Sequence, residues 1–253
     1  MSRPHQYIAL VSSLPHLGKL FSRKDVPISG FRLKQRLSML EPAHANLLRE
    51  MVEVTAWAGV AGFDRDIDVI RRTNKVLADL KDFPDLQHLV GARMETRTLI
   101  AALRRRRDGQ ESAADIENWG LGRWCTQIRA NWSNPAFGLG HFMPWVGEAH
   151  RLMLAGDHIA MERLVLTQVF DQLGHYGNLH EFDFEAVAIY VLRWVIVERW
   201  SRYNEADARA RLATLVAAAL DGQTEGGKTD AGGQAGRQDL FSDFTSALEG
   251  AFS

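Results

Sequence analysis

The chain has 253 residues, of which 46% are hydrophobic and 24% charged, the proportions of a globular protein with a substantial core. Its formal net charge of −1 creates no overall field that would attract nucleic acid or an acidic membrane, so we predict no nucleic-acid partner. The single cysteine, Cys125, excludes an internal disulfide and a cysteine-rich zinc site, and no nucleophile signature surrounds it.

The N-terminal segment Tyr7–Leu14 is the only good strand candidate, which predicts a short extended segment at the start of the chain. The apolar run Tyr7–Val11 is too short for the core of a signal peptide, and Pro15 follows soon after it. This pattern favours a cytoplasmic location.

Most of the remaining chain has apolar residues at helical spacing, which predicts an all-α fold with an irregular, multi-helix body. Ser29 can cap a helix that runs to about Met39, and Pro42 fits the first turn of the next helix. Further helices are predicted at Asp64–Leu80, Asp85–Arg107, Ser112–Asn118, Leu121–Trp132, Pro144–Ala155, Ile159–Leu173, Phe182–Tyr203 and Glu205–Leu220, with a loop at Asn131–Pro144.

The most apolar stretch is Phe184–Trp200, FEAVAIYVLRWVIVERW. A membrane span would carry Arg193 near its centre, at a cost of about 2.5–3.5 kcal/mol on insertion scales. We therefore predict a central helix of the helical core, whose arginines pair with carboxylates such as Glu162 or Glu185 in a buried polar network that holds the helices in register. The predicted polar network comprises Glu162, Glu185, Arg193, Arg199 and Trp200.

The composition changes after the predicted helical body of residues 1–221. Residues 222–239 are glycine-rich and polar, which predicts a disordered linker. Residues 240–253 form a short amphipathic segment that either docks on a partner or folds back onto the body. Its apolar residues include Phe241, Phe244 and Leu248.

Four consecutive arginines end the long helix predicted at Asp85–Arg107: Arg104, Arg105, Arg106 and Arg107. Positive charge is favourable at this end of a helix dipole. The cluster is either a solvated helix end or a contact for an anion, RNA or acidic protein. Few aromatic residues lie beside it, which disfavours RNA.

Five histidines and several carboxylates within a short region raise the possibility of a metal-binding or enzymatic helical bundle. This histidine-rich region has neither a His-Glu-x-x-His motif nor a Glu-x-x-His pair of the kind that helical di-metal bundles use, so we predict no metal, no cofactor and no catalytic residue. The histidines are His141, His150, His158, His175 and His180, and the carboxylates among them are Glu148, Glu162, Asp171 and Glu181.

Three segments resemble a bacterial family that accompanies V-type ATPases. They are the opening YIALVSSLPHL, the helix RMETRTLIAALRRRRDGQ, and the stretch from PAFGLGHFMPWVGEAH to FDFEAVAIYVLRWVIVERWSRYN. The last contains a GL loop, an ERLL-type helix, and an F-E-A-x-x-x-Y helix ending in ERW. These elements are similar to parts of the C-type (d-like) subunit of V/A-type ATPases, and the resemblance covers about Tyr7–Tyr203.

The resemblance implies an all-α, funnel-like body on the cytoplasmic face of the membrane rotor ring, where it receives the central stalk. The protein would be a non-catalytic subunit that couples ATP hydrolysis to proton or sodium transport, peripheral to the inner face of the cell membrane. Its shorter length than a typical C-type subunit implies a reduced counterpart. The alternatives are a helical adaptor or regulator that docks through Leu240–Phe252, and a metal-binding helical enzyme built on the histidine-rich half.

Overall fold

The computed structural model of the protein is built from helices and connecting turns. It describes residues 6–22, 26–56 and 62–221, with side chains described up to residue 202. The helices are α1 (Ile8–Ser13), α2 (Gly30–Leu37), α3 (Pro42–Thr55), α4 (Asp66–Asp79), α5 (Pro84–Arg107), α6 (Cys125–Ala130), α7 (Pro144–Leu154), α8 (His158–Gly177) and α9 (Phe184–Asp221), with a 3₁₀ turn at Ile116–Asn118. The described ranges contain no strand, so the predicted all-α fold class is confirmed.

Several helices begin where local signals in the sequence place them. The Ser29 hydroxyl caps α2 by accepting a hydrogen bond from the Arg32 N–H at 3.4 Å. Pro42, Pro84 and Pro144 occupy the first turns of α3, α5 and α7. A missing N–H is harmless there, because the first helical N–H groups have no partner within the helix.

The prediction of an extended segment at the N-terminus is wrong, because Ile8–Ser13 is the helix α1. Tyr7 and Leu10 are buried, and Val11 and Leu14 pack against the same core. This is the i, i+3, i+4, i+7 spacing of one helix face. The aromatic and β-branched composition suggested a strand, but the described residues offer no neighbouring strand for it to pair with.

The C-terminal part also departs from the prediction. Two helices were expected, at Phe182–Tyr203 and Glu205–Leu220, whereas α9 is continuous from Phe184 to Asp221. Asn204 is only mildly unfavourable inside a helix, and no glycine or proline interrupts the run. The predicted linker and terminal segment, residues 222–253, lie outside the described residues.

The buried side chains form two hydrophobic clusters. The first cluster gathers α1 to α4, the start of α5, the end of α8 and the start of α9. The second cluster gathers the end of α5, the 3₁₀ turn, α6, α7 and the start of α8. The helices α5 and α8 therefore run through both clusters and join them. Among the described helices, none combines the length and apolar character needed to cross a bilayer.

Polar side chains of α5 lie near the junction between the clusters. The Thr98 hydroxyl donates to the Leu121 carbonyl and accepts from the Leu121 N–H, both at 2.9 Å. Glu95 accepts from the Arg123 N–H at 3.3 Å. A Cβ at Gly122 would lie 2.4 Å from the Glu95 side chain, and its φ of +120° also favours glycine. These contacts fix the chain that follows the 3₁₀ turn against the middle of α5.

Candidate functional site

The connection between α8 and α9 places His180 between two carboxylates. Its Nδ1 lies 2.9 Å from Asp183 Oδ2, and its Nε2 lies 3.0 Å from Asp85 Oδ2. Only 13% of the His180 side chain is exposed. Because both ring nitrogens face carboxylate oxygens, the imidazole is held in one orientation between the starts of α5 and α9.

Asp183 is also the capping residue of α9. Its Oδ1 accepts a hydrogen bond from the Ala186 N–H at 2.9 Å, while its Oδ2 faces His180. Asp85 lies in the first turn of α5 and Glu185 in the first turn of α9. These carboxylates therefore lie at the positive ends of two helix dipoles.

Glu185 is the most deeply buried carboxylate of the group, with 6% of the residue exposed. Its Oε2 is buried and has no hydrogen-bond partner. One ligand atom from each of His180, Asp183 and Glu185 lies within 4.8 Å of the other two. We call these three residues together with Asp85 the His180 cluster.

An aromatic wall lies beside the His180 cluster. His44 of α3 stacks on Phe184 with ring centroids 4.3 Å apart, and Phe83 packs edge-on against both rings. The Tyr7 hydroxyl lies 2.6 Å from His44 Nδ1 and accepts a hydrogen bond from the Glu41 N–H. The start of α9 is thus enclosed by α3, α5 and the residue before α1.

The titratable groups of this region differ in the sign of their pKa shifts. Burial alone would lower the pKa of His180, but the hydrogen bonds and negative charge of Asp183, together with Asp85, outweigh burial and raise it. Burial lowers the pKa of His44, against the opposing charges of Glu41 and Glu185. His180 therefore favours the protonated form more strongly than His44 does.

The predicted polar network of the central helix forms only in part. Arg199 pairs with Glu162 of α8, with Nη2 and Oε1 2.8 Å apart and about a quarter of each side chain exposed. Trp200 is buried in the first hydrophobic cluster. This ion pair fixes the end of the described side chains of α9 against α8.

Arg193 and Glu185 do not meet the partners that the sequence suggested. The Arg193 guanidinium lies over the Phe170 ring at 4.2 Å, its Nε is buried without a hydrogen bond, and burial lowers its pKa. It stabilises α9 against α8 through the aromatic face of Phe170 rather than through a carboxylate. Glu185 belongs to the His180 cluster instead.

The four arginines at the end of α5 have different surroundings. Arg105 pairs with Asp66 at 3.2 Å and lies over the Trp119 ring. Arg106 donates to the carbonyls of the loop that precedes α7. Arg104 and Arg107 are exposed. Arg107 also pairs with the neighbouring Asp108 at 2.8 Å. The basic surface at this helix end is therefore reduced to two exposed arginines, one of which is in an ion pair.

The other histidines of the histidine-rich region lie outside the His180 cluster. His150 lies 3.2 Å from Arg106 Nη2, and His141 and His175 contact neighbouring aromatic rings. Cys125 begins α6 and is half-buried, and burial raises the pKa of its thiol. Among the five histidines only His180 lies in a group of described residues that could hold a metal ion.

Sequence reasoning missed the composition of the His180 cluster. The carboxylates around His180 are not the four that lie among the histidines in the sequence. A usable local signal was the His-x-x-Asp spacing of His180 and Asp183 directly before the α9 pattern. Asp85 carries no such signal, because it lies 95 residues earlier in the chain.

Comparison with known proteins leaves the functional expectations untested. The chain matches no family model, no curated protein and no solved structure. The resemblance of three segments to a V-type ATPase family therefore stays a prediction, and a function has to be inferred from the residues and their geometry.

Proposed function

We propose that the protein is a non-catalytic subunit of a bacterial V-type ATPase that couples the central stalk to the membrane rotor ring during ATP-driven proton or sodium transport. The proposal combines the sequence resemblance with the architecture of the helical body. Its partners would be the stalk and ring subunits, and it would reach the inner face of the membrane through them.

The observation that supports this proposal best is the continuity of α5 and α8 through both hydrophobic clusters. The 24 residues of α5 extend about 36 Å at 1.5 Å per residue. A coupling body has to transmit force between a partner at one end and a partner at the other. Close-packed interiors are poorly compressible, so helices shared by two packed clusters suit that task.

A coupling subunit also needs contact surfaces, and the end of α5 offers a small basic one. Arg104 and Arg107 are exposed there, next to the internally bound Arg105 and Arg106. Exposed charges at an interface rim mainly accelerate and orient association. We expect them to face acidic residues of a partner subunit.

Purification from the native host tests the proposal directly. A tagged chain is recovered from gently solubilised membranes, and co-purifying proteins are identified and quantified by mass spectrometry. Catalytic, stalk and ring subunits at near-stoichiometric amounts would support the coupling role. Recovery of the chain without any of these subunits would refute it.

Charge reversal then tests the contact at the end of α5. The double variant Arg104→Glu/Arg107→Glu should reduce the recovered ATPase subunits several-fold while the melting temperature of the isolated chain stays within a few degrees. The matched control is Arg32→Glu/Arg71→Glu, which reverses two exposed arginines on α2 and α4. Equal recovery with both double variants would remove Arg104 and Arg107 from the interface.

A further inference from the structure

The His180 cluster has the composition and spacing of a metal site. We propose that His180, Asp183 and Glu185 bind one divalent transition-metal cation, Zn²⁺ or Mn²⁺, which holds the start of α9. This inference does not depend on the proposed role in an ATPase, since it concerns the chemistry of four side chains.

Glu185 gives the strongest reason to place a cation here. Only 6% of the residue is exposed, and its Oε2 is buried without a hydrogen-bond donor. A buried carboxylate oxygen without a partner is destabilising, because it loses its hydrogen bonds to water on folding and no donor of the protein replaces them. That carboxylate lies within 4.8 Å of ligand atoms of His180 and Asp183. A cation between the three groups would satisfy it.

The hydrogen bonds around the cluster leave suitable ligand atoms available. Asp183 Oδ1 is occupied by the Ala186 N–H, which orients the carboxylate and leaves Oδ2 directed at the cluster. Asp85 Oδ2 lies 3.0 Å from His180 Nε2 and can accept its proton. Nδ1 then carries a lone pair, and a cation bound to it and to Asp183 Oδ2 would replace the hydrogen bond between these two atoms. Carboxylates that hold the outer nitrogen of a ligating histidine are usual around protein metal sites.

The distances allow the group to close on an ion by side-chain rotation. Zn²⁺ binds histidine nitrogen and carboxylate oxygen at about 2.0–2.2 Å in tetrahedral sites, so its ligand atoms lie about 3.3–3.6 Å apart. His180 Nδ1 and Asp183 Oδ2 are already 2.9 Å apart, and the three ligand atoms of the cluster are within 4.8 Å of one another. Side-chain movements of about 1 Å or less are enough to close the group on an ion.

The donor set also selects the class of metal. One imidazole nitrogen and two carboxylate oxygens suit Zn²⁺ or Mn²⁺ better than Mg²⁺ or Ca²⁺, which prefer oxygen ligands alone. A 2+ ion would also pair with the carboxylate of Glu185, which is the buried member of the cluster.

The position of the site indicates a structural role for the ion. His180 lies in the connection between α8 and α9, and the other two ligands lie at the start of α9. Asp85 connects the site to α5. An ion at this point would fix the entry of α9 into the first hydrophobic cluster, next to the stacked rings of His44 and Phe184.

The test uses the full-length protein after removal of metal with a chelator. Titration with ZnCl₂ and, separately, MnCl₂ is followed by calorimetry and by the melting temperature, with MgCl₂ as the comparison salt. We expect one equivalent of Zn²⁺ or Mn²⁺ to bind and to raise the melting temperature by several degrees, because a ligand that binds only the folded state stabilises it. Absence of stoichiometric binding by both ions would overturn the proposal.

A matched pair of variants locates the ion. Glu185→Gln removes one proposed ligand while keeping its size, and Glu181→Gln makes the same change on an exposed residue of the same connection. We expect Glu185→Gln to weaken binding at least tenfold and Glu181→Gln to leave it unchanged. Equal affinity of the two variants would place the metal elsewhere and overturn the proposal.

A spectroscopic measurement on the unaltered protein covers the case in which Glu185→Gln does not fold. Co²⁺ added to the chelator-treated chain should give visible absorption bands of a nitrogen- and oxygen-ligated site, and one equivalent of Zn²⁺ should abolish them. Co²⁺ that shows only the spectrum of the hydrated ion would refute the site.

Discussion

The sharpest prediction concerns Arg106, which holds the loop between α6 and α7. Its Nη1 donates to the carbonyls of Trp132 and Asn134 at 2.9 and 2.5 Å, and its Nη2 donates to the Pro135 carbonyl at 2.9 Å. The guanidinium also lies 4.5 Å from the centre of the fully buried Phe137 ring. Substitution by alanine, Arg106→Ala, removes all of these contacts together.

The expected loss of stability follows from how exposed each contact is. The part-buried bond to Trp132 contributes about 1.5 kcal/mol, the lower end of the range for a charged donor. The contact with the Phe137 ring adds about 1 kcal/mol. The hydrogen bonds to Asn134 and Pro135 are exposed, so water can hydrogen-bond to these carbonyls when the arginine is removed. Together they therefore add only about 0.5 kcal/mol to the stability. We therefore expect Arg106→Ala to lower the free energy of unfolding by about 3 kcal/mol.

Thermal unfolding followed by circular dichroism measures this effect. For a domain of this size, about 3 kcal/mol corresponds to a melting temperature lower by about 6–12 °C. The control is Arg104→Ala, which removes an exposed arginine two residues earlier and should change the melting temperature by less than about 2 °C. Equal melting temperatures for the two variants would show that Arg106 does not hold the loop.

Three further predictions concern α9 and α7. Arg199→Ala should lower the free energy of unfolding by about 1 kcal/mol, and a double-mutant cycle with Glu162→Gln should assign at least half of that loss to their ion pair. Burial, and then the charge of Arg106, lower the pKa of His150, so the folded state binds fewer protons than the unfolded state does. The free energy of unfolding should therefore fall as the pH drops below about 6.5. His150→Gln should reduce this loss, as measured by melting curves between pH 7.5 and 5. Phe184→Ala, at a fully buried ring, should cost about 3–5 kcal/mol in urea unfolding, and a loss under 1 kcal/mol would contradict its place in the core.

The parts of the fold that could be predicted are those fixed by local signals. Ser29, Pro42, Pro84 and Pro144 mark helix starts because their effect depends on the next few residues alone. The segment around α1 was misassigned because its composition favours a strand while its apolar spacing is helical. The spacing of the apolar residues predicts the helix correctly, because it reflects which face of the segment has to be buried.

The candidate site could be predicted only in part, because it depends on contacts between distant residues. His180 and Asp183 are close in sequence, but Asp85 joins them only through the packing of α5 beside the start of α9. The arginines at the end of α5 illustrate the same limit. Successive residues of a helix point about 100° apart, so identical neighbours meet different surroundings. Arg106 meets the loop before α7, whereas Arg104 faces solvent.

The helix α5 carries polar anchors at both ends and near its middle. Asp85 binds His180 at the start, Thr98 holds Leu121 near the middle, and Arg106 holds the loop before α7 at the end. Hydrogen bonds are directional, so three such anchors fix the rotation and register of a helix more strictly than apolar contacts do.

This arrangement predicts that the two ends of α5 respond independently. Asp85 and Arg106 are about 32 Å apart along the helix axis, and Thr98 holds the helix between them. The losses of stability caused by Asp85→Asn and Arg106→Ala should therefore add in the double variant to within about 0.5 kcal/mol, measured by urea unfolding. A larger coupling energy would mean that releasing one end displaces the other. In that case the hydrogen bond of Thr98 to Leu121 would not hold α5 in place between its two ends.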